Sequence, residues 1–301
     1  MPAMDTPAAG DPVQKTAPSQ SSGTPPQPDP PVARPGGRRH IALSPSRASD
    51  FKQCPLLYRF RAVDRIPETP STAQARGTLV HAALERLYTL PAAERVQERA
   101  AGLLEPAWED MVAGQPELAE LVGPEDRARF LDEARALIAG YYTMEDPTRF
   151  EPDACEQRVE TRLGDGTPLR GFIDRIDVAP TGQVRVVDYK TGRLPWGPGK
   201  ATALFQMKFY ALALLRDRGI LPTQLRLMYL KSGEDLVYEP TEAELDRFER
   251  TVSALWQAIR TAGSTGDFRP TPSKLCDWCD HKALCPAFDG TPPPYPGWPG
   301  E

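Results

Sequence analysis

The stretch from Gly171 to Gly192, GFIDRIDVAPTGQVRVVDYKTG, constrains the fold of this chain more than any other. Apolar and polar residues alternate on both sides of a short segment, Ala-Pro-Thr-Gly, which is typical of two antiparallel strands joined by a turn. If the turn centres on Thr181, the register places Asp174 directly opposite Asp188, with Cβ atoms about 5 Å apart. Because side chains alternate between the faces of a strand, Lys190 shares a face with Asp188.

Two carboxylates at this separation repel each other unless a positive group lies between them. An aspartate at the end of an apolar strand is also a poor core residue unless it is paired. A hard divalent cation such as Mg²⁺ fits both carboxylates, because it takes oxygen ligands and keeps several waters. Lys190 could then hold a metal-bound water or a phosphate as a point charge. Arg175 and Asp177, on the opposite face, are predicted to be ordinary surface charges.

Cysteines are concentrated near the end of the chain, in the pattern C-x₂-C-x₅-C formed by Cys276, Cys279 and Cys285. In a cytosolic protein, such clustering indicates a metal site more often than a disulfide. Cys54 can supply a fourth thiolate, which gives the Cys₄ set of a [4Fe–4S] cluster. A Cys₄ zinc site is the alternative, and His281 could replace one cysteine in it. The remaining cysteine, Cys155, is predicted to be a small buried hydrophobe.

Two helical patterns, AQARGTLVHAALERLYTL and ATALFQMKFYALALLRDR, each carry a polar pair four residues apart. His81 and Glu85 share one face of the first helix, and Gln206 and Tyr210 share one face of the second. A histidine on a helix can ligate a metal or simply be hydrogen-bonded, and Tyr210 can belong to a site or to the core. Glu85 could orient an arginine or a water near the site.

These motifs together resemble the PD-(D/E)XK nuclease superfamily. They are most similar to its RecB-family exonuclease branch, which includes the AddB nuclease and the CRISPR-associated exonucleases. The resemblance rests on G-F-I-D…V-V-D-Y-K-T-G, G-x-x-x-H-x-x-L-E, Q-x-x-x-Y and an early S-x-S-x-x-x-x-F-x-x-C-P, and it spans about residues 41 to 288. It implies an α/β fold of the restriction-endonuclease type: a mixed central sheet flanked by helices, with helical insertions.

The resemblance also implies a function, a metal-dependent DNA nuclease and most closely an exonuclease of DNA repair or recombination. In this reading His81, Asp174 and Asp188 hold Mg²⁺ or Mn²⁺, joined by the carbonyl group of Tyr189. Lys190 positions the attacking water. The implied roles of Gln206 and Tyr210 are to orient the nucleophile or the DNA strand. A proline follows both Cys54 and Cys285, as in the family, and this favours the [4Fe–4S] cluster over zinc.

Two other functions are compatible with parts of the pattern. One is a non-catalytic, iron–sulfur or zinc-stapled module that binds nucleic acid or a partner. The presence of the whole set His81, Asp174, Asp188 and Lys190 argues against it. The other is a nuclease of CRISPR spacer acquisition. The chain contains no G-x-x-x-x-G-K-[ST] motif, so any helicase would be a partner in trans. Glu160, on a strand predicted over residues 155–163, could approach the site but is expected at the surface.

Composition sets the remaining expectations. The formal net charge of −5 does not suggest a strongly basic nucleic-acid coat. Between Arg34 and Arg76, however, nine Lys/Arg residues face three Asp/Glu, and this segment could hold a backbone phosphate. Residues 1–39 and 290–301 are predicted to be disordered Pro-rich tails around a nuclease domain at 40–289. A long apolar run and a secretory signal are both missing, so a cytoplasmic protein without membrane contact is expected.

Overall fold

A five-stranded mixed sheet forms the centre of the computed structural model, which describes residues 41–195 and 197–299. The strands, in chain order and in the order in which they lie side by side, are β1 (Ala154–Arg162), β2 (Pro168–Val178), β3 (Val184–Lys190), β4 (Gln224–Tyr229) and β5 (Glu234–Tyr238). Strands β3 and β4 are parallel, and the other neighbouring pairs are antiparallel. The predicted α/β class with a mixed central sheet is therefore confirmed. The predicted tail at residues 1–39 lies outside the described residues.

Helices cover both faces of this sheet. They are α1 (Pro45–Gln53), α2 (Pro55–Tyr58), α3 (Thr72–Tyr88), α4 (Gln97–Gly102), α5 (Leu104–Gly114), α6 (Glu117–Leu121), α7 (Pro124–Met144), α8 (Pro198–Arg218) and α9 (Glu242–Thr265). A π-helical turn follows α2 at Arg59–Asp64, and 3₁₀ turns lie at Ala92–Glu94, Pro147–Arg149, Lys274–Trp278, Lys282–Leu284 and Pro286–Phe288. One apolar core forms between the sheet and α1, α2, α8 and α9, and a second between the sheet and α3–α7.

The sequence of β3 reflects this double coverage. Val184 and Val186 pack in the core that contains α8, whereas Val187 and Tyr189 pack in the core that contains α3 and α7. Strands buried on both faces have nearly continuous apolar sequences, because neither face meets water. Asp188 therefore lies in a strand with no solvent-facing side, and its carboxylate must find partners inside the protein.

Helix α8 is the connection between the parallel strands β3 and β4. Parallel neighbours cannot be joined by a tight turn, so the chain must cross over one face of the sheet. The crossover brings the helix that carries Gln206 and Tyr210 onto the face of β3 that carries Asp188 and Lys190. Helix α3 lies on the other face and brings His81 to the same strand.

The C-terminal segment differs from the disordered tail predicted after Asp289. Up to residue 299 the chain packs along α9, where Tyr295 donates a 2.6 Å hydrogen bond to the carbonyl of Gly263. Trp298 lies beside Trp256, with ring centroids 6.1 Å apart. The proline content predicted disorder, but the aromatic side chains between the prolines bury enough apolar surface to anchor the segment.

No helix within residues 41–195 and 197–299 combines the length and the apolar character that crossing a membrane requires.

Candidate active site

The hairpin of β2 and β3 has the predicted register. Val178 pairs with Val184 and Arg175 with Val187, and the same register places Asp174 opposite Asp188. The ladder between the two strands stops at the Arg175–Val187 pair, so the two aspartates lie just beyond the paired region. There the backbone N–H of Tyr189 donates a 2.7 Å hydrogen bond to the carboxylate of Asp174 instead of to a backbone carbonyl of β2.

Asp188, Lys190 and Gln206 form a closed ring of polar contacts. The ammonium group of Lys190 lies 2.7 Å from one oxygen of Asp188 and donates to the side-chain carbonyl of Gln206 at 2.9 Å. The amide nitrogen of Gln206 donates to the other oxygen of Asp188 at 2.8 Å. Burial raises the pKa of Asp188 to about 6, with repulsion from Asp174 adding to the rise and the positive charge of Lys190 opposing it.

Tyr210 lies one helical turn after Gln206 and packs against β2. Its ring is so close to Gly171 that a Cβ atom there would lie 2.6 Å from the ring, so the contact requires glycine. Burial raises the pKa of Tyr210, and so does the charge of Asp188; the hydrogen bond with Gln206 lowers it. The phenol therefore stays protonated and can act as a hydrogen-bond donor beside the ring of polar contacts.

His81 approaches the aspartates from the opposite face. One ring nitrogen lies 3.0 Å from the carbonyl oxygen of Tyr189, and the other lies 3.4 Å from a carboxylate oxygen of Asp174. Burial lowers the pKa of His81, but the hydrogen bond and charge of Asp174, with the charge of Asp188, outweigh it and raise the pKa to about 9. Without a cation the imidazole is thus charged, and a metal ion would have to displace its proton.

Glu156 of β1 is a site residue that the sequence analysis missed. Its carboxylate, a nitrogen of His81 and a carboxylate oxygen of Asp174 all lie within 4.8 Å of one another. It stands opposite Asp174 at a gap in the β1–β2 ladder, where its backbone has a φ of 46°. Burial, followed by repulsion from Asp174, raises the pKa of Glu156 to about 7.

The other acidic candidates have different environments. Glu160, as predicted, is at the surface and pairs with Arg158 and Arg170. Glu85 is exposed on α3 and contributes negative charge near Glu156. Nothing in the alternation of β1 distinguishes Glu156 from Glu160, because the deciding feature is a left-handed backbone conformation that non-glycine residues rarely adopt.

Arg175 corrects the prediction that the opposite face of the hairpin carries surface charges. Its side chain is fully buried, forms an ion pair with Glu145, and lies 3.0 Å from a carboxylate oxygen of Asp177. It also donates to the phenol oxygens of Tyr88 at 2.6 Å and Tyr189 at 2.8 Å. The second core, formed by α3–α7, covers this face, and the charges are buried as a hydrogen-bonded network.

Tyr189 connects this network to the site. Its phenol contacts Arg175, its N–H contacts Asp174, and its carbonyl contacts His81. The buried ion pairs therefore fix the position of Tyr189, whose backbone groups contact both His81 and Asp174.

The four cysteines singled out by spacing all line one small, mostly apolar cavity. Cys54 at the end of α1 accepts a hydrogen bond from the backbone N–H of Thr271, and Cys276 accepts one from that of Ser273. No three of the four sulfur atoms lie within 4.8 Å of one another. His281 borders the same cavity, but it is buried against Glu68, at 2.8 Å. Cys155 is half-buried on β1, and burial raises its pKa to about 11.

The fold and this site define a class of protein, and comparison with known families agrees. Residues 42–286 match the model of the PD-(D/E)XK nuclease superfamily, and the chain belongs to that superfamily.

Individual relatives include the Gene 69 proteins of two mycobacteriophages. The protein of phage D29 is 25% identical over 281 residues, covering 81% of this chain and 96% of the phage protein. That of phage L5 is 30% identical over 128 residues, 41% of each chain. Among solved structures, a protein of Eubacterium rectale described as a "Putative exonuclease" superimposes with a TM-score of 0.55 at 16% identity. That match covers 80% of this chain and 87% of the other, and it shows a shared fold.

Proposed function

We propose that this protein is a Mg²⁺- or Mn²⁺-dependent deoxyribonuclease that hydrolyses phosphodiester bonds. The observation that carries the proposal is the convergence of two groups across β3. His81, Glu156, Asp174 and the carbonyl of Tyr189 lie on one side, and the Asp188–Lys190–Gln206 ring lies on the other.

The donor set fits a hard divalent cation. Carboxylates and a backbone carbonyl are the ligands that suit Mg²⁺ and Mn²⁺, and one imidazole is compatible with Mn²⁺. The pKa values of Asp188, Glu156 and His81 are all raised, so the metal-free site retains protons. A bound cation would replace these protons, because metal ligands must be deprotonated. When bound, the cation supplies Lewis-acid stabilisation of the phosphate and a more acidic water.

The residues of the chain then have distinct tasks. Lys190 places positive charge where negative charge develops on the phosphate, and Asp188 holds its ammonium group in position. Gln206 holds the side chains of Asp188 and Lys190 in their relative positions through its two hydrogen bonds. Tyr210 offers a protonated phenol to the same space. His81 and Asp174 act together, because each restrains the other and both contact Tyr189.

We further propose that the cysteine cavity holds a [4Fe–4S] cluster. A single zinc ion with Zn–S bonds of about 2.3 Å draws its sulfur ligands to within about 3.8 Å of one another. In each group of three of the four cysteines, at least one pair of sulfur atoms is more than 4.8 Å apart. Backbone N–H groups directed at cysteine sulfur are among the contacts that tune iron–sulfur clusters. The cluster would have a structural role, because the four cysteines come from the two ends of the domain.

An exonuclease acting in DNA repair or recombination is the narrower form of the proposal. The chain has no Walker-A motif, so duplex unwinding would come from a partner helicase.

The test is digestion of end-labelled linear DNA and closed circular DNA with Mg²⁺, with Mn²⁺ and with chelator. Loss of linear DNA alone supports an exonuclease, and nicking of circles supports an endonuclease. If full-length protein loaded with either metal cuts neither substrate yet binds DNA, the nuclease proposal fails in favour of the non-catalytic binding module.

A further inference from the structure

A cleft of about 490 Å³ opens beside the candidate site, and all of its lining residues except Gln206 and Tyr210 are outside that site. One wall is the start of α1, which contributes Ser44, Ser46, Ser49 and Arg47. The opposite wall is β2 with Arg170 and Phe172, and α8 closes the cleft with Thr202, Gln206 and Tyr210. Its volume lies in the range of about 300–1,000 Å³ that is usual for ligand sites.

The charge of this cleft has one sign. Two arginines and four hydroxyl-bearing residues besides Tyr210 line it, and none of its described lining residues is acidic. The whole chain has a net charge of −5, so a cleft lined by positive but not negative side chains differs from the average surface of this protein. Burial is the main cause that lowers the pKa of Arg47. Repulsion from Arg170 and from a third arginine, Arg65, lowers it further, whereas Tyr58 and the carboxylate of Asp50, which lies outside the cleft lining, oppose the shift.

These cations are only partly neutralised by the protein. Arg47 donates to the carbonyl of Ala42 at 2.7 Å, which leaves its other N–H groups available. Arg170 pairs with Glu160 at 2.9 Å, but both side chains are more than a third exposed, and exposed ion pairs are weak.

Continuity with the site identifies the class of ligand. Gln206 belongs to the cleft wall and also to the ring that contains Asp188 and Lys190, so a group in the cleft lies next to the reacting phosphate. Phe172 is 52% exposed at the rim and offers an aromatic surface for a base. Positive charge, hydroxyl donors and an exposed aromatic ring are the combination that binds a single nucleic-acid strand.

We propose that this cleft is a subsite for a phosphate of the single DNA strand whose neighbouring phosphate is cut. The proposal rests on the proposed nuclease function and extends it to the path of the substrate. The phosphate is either an internal diester or a terminal monophosphate, and the two share the same contacts to Arg47, Arg170 and the serine hydroxyls.

The sharpest test places a negative charge in the cleft without weakening the fold. Ser46 is exposed at the second helical position of α1, where an acidic residue interacts favourably with the helix dipole. Ser46→Asp should therefore keep or raise the melting temperature while repelling a phosphate. Ala243→Asp is the matched control, because Ala243 is exposed at the second helical position of α9 and is not part of the cleft.

Binding is measured by fluorescence anisotropy with full-length protein carrying Lys190→Ala and a single-stranded oligonucleotide labelled at its 3′ end. We expect Ser46→Asp to raise Kd at least about tenfold relative to Ala243→Asp. Arg170→Gln should raise Kd and reduce the slope of log Kd against log salt by about 1. A loss larger for the 5′-phosphorylated than for the 5′-hydroxyl oligonucleotide identifies a terminal phosphate, and equal losses identify an internal diester.

The outcomes separate this proposal from the proposed nuclease activity. If the wild-type protein cuts DNA and Ser46→Asp binds like Ala243→Asp, the cleft assignment is overturned while the nuclease stands. If the wild-type protein does not cut but Ser46→Asp still weakens binding relative to its control, the cleft assignment stands and the nuclease falls.

Discussion

Lys190 is the side chain on which the proposed chemistry depends most directly, because its ammonium group contacts both Asp188 and Gln206. We expect Lys190→Ala to lower the rate of DNA cleavage about a hundredfold or more, the loss typical of removing one preorganised electrostatic contact. The fold should be kept, because Asp188 retains its hydrogen bond from Gln206. Cleavage assays and circular dichroism measure the two effects. Lys231→Ala, at an exposed lysine just after β4, is the control, and wild-type cleavage by Lys190→Ala would remove Lys190 from the mechanism.

The role of Glu156 as a metal ligand can be tested with Glu156→Gln, which should change stability and metal affinity in opposite directions. Glu156→Gln removes a charge that repels Asp174, so the metal-free protein should melt at a higher temperature. The same change removes a candidate ligand, so the affinity for Mn²⁺ should fall about tenfold or more. Calorimetric titration and a thermal melt in chelator measure both, with Glu160→Gln as the surface control. An unchanged Mn²⁺ affinity would leave Glu156 as a strained residue without a role in binding.

The raised pKa values predict how pH acts on the metal-free protein. Glu156 titrates near 7 in the folded state instead of near 4.5, and His81 near 9 instead of near 6.5. The folded state therefore binds more protons than the unfolded chain between about pH 4.5 and 9, so the free energy of unfolding should fall as pH rises through this window. Affinity for Mn²⁺ should rise over the same window, because binding releases those protons. Urea unfolding in chelator and Mn²⁺ titrations, both at pH 6, 7, 8 and 9, test the two trends, which a flat pH profile would contradict.

Alternation and the position of the turn together were enough to predict the register of β2 and β3, since the turn fixes which residues of a hairpin face each other. They could not predict Glu156. Strand β2 loses its regular alternation at this point, because Ile173 and Ile176 both pack in the core that contains α8. Such an irregularity depends on backbone angles and on the partner strand, and a period-two pattern in the sequence predicts neither of them.

At the scale of elements, the alternation of polar and apolar residues did not predict that the face of the hairpin opposite the site is buried. Period two correctly placed Arg175 away from Asp188, but it contains no information on whether a helix covers that face. Helix α7 and the residues after it do so, and Glu145 then pairs with both Arg175 and Arg226. The helix predicted from ATALFQMKFYALALLRDR is present as α8, because the periodicity that indicates a helix is a local property of the sequence.

The buried network behind β3 should contribute strongly to stability. Arg175→Ala leaves Glu145 and Asp177 without their shared partner, and breaking a buried ion pair in this way typically costs about 3–5 kcal/mol. Arg158→Ala removes an exposed ion pair of β1 and should cost no more than about 1 kcal/mol. Urea unfolding of both variants measures the difference. Equal losses would mean that the network is not a stabilising feature of the sheet.

At the scale of the whole molecule, the cysteine cavity joins segments more than two hundred residues apart in the chain. A covalent link that closes such a loop is worth on the order of 4–5 kcal/mol in the loop-entropy model. We expect Cys54→Ala to lower the melting temperature of the entire domain, whereas Cys155→Ala, outside the cavity, should have a small effect. Protein purified without oxygen should be brown and contain about four iron atoms per chain.

Two results would contradict this prediction in different ways. Colourless protein with one zinc and no iron per chain would exclude the cluster. A Cys54→Ala variant that melts like the wild type would show that the cavity does not hold the two ends of the domain together, whichever metal it binds.

The meeting of the two ends has a consequence for the order of events during synthesis. Helices α1 and α2 leave the ribosome early, but Cys54 faces Thr271, and Arg59 lies against the ring of Tyr295. At about 5–20 residues per second, the partners of these helices arrive roughly 10–45 s later. Until then the first helices lack these two contacts, although the sheet and α8 already offer them an apolar surface. The cluster proposed for the cysteine cavity could not be completed before Cys285 is translated. Assembly of the proposed cluster would therefore be completed only after the five strands and nine helices of the described domain have been synthesised.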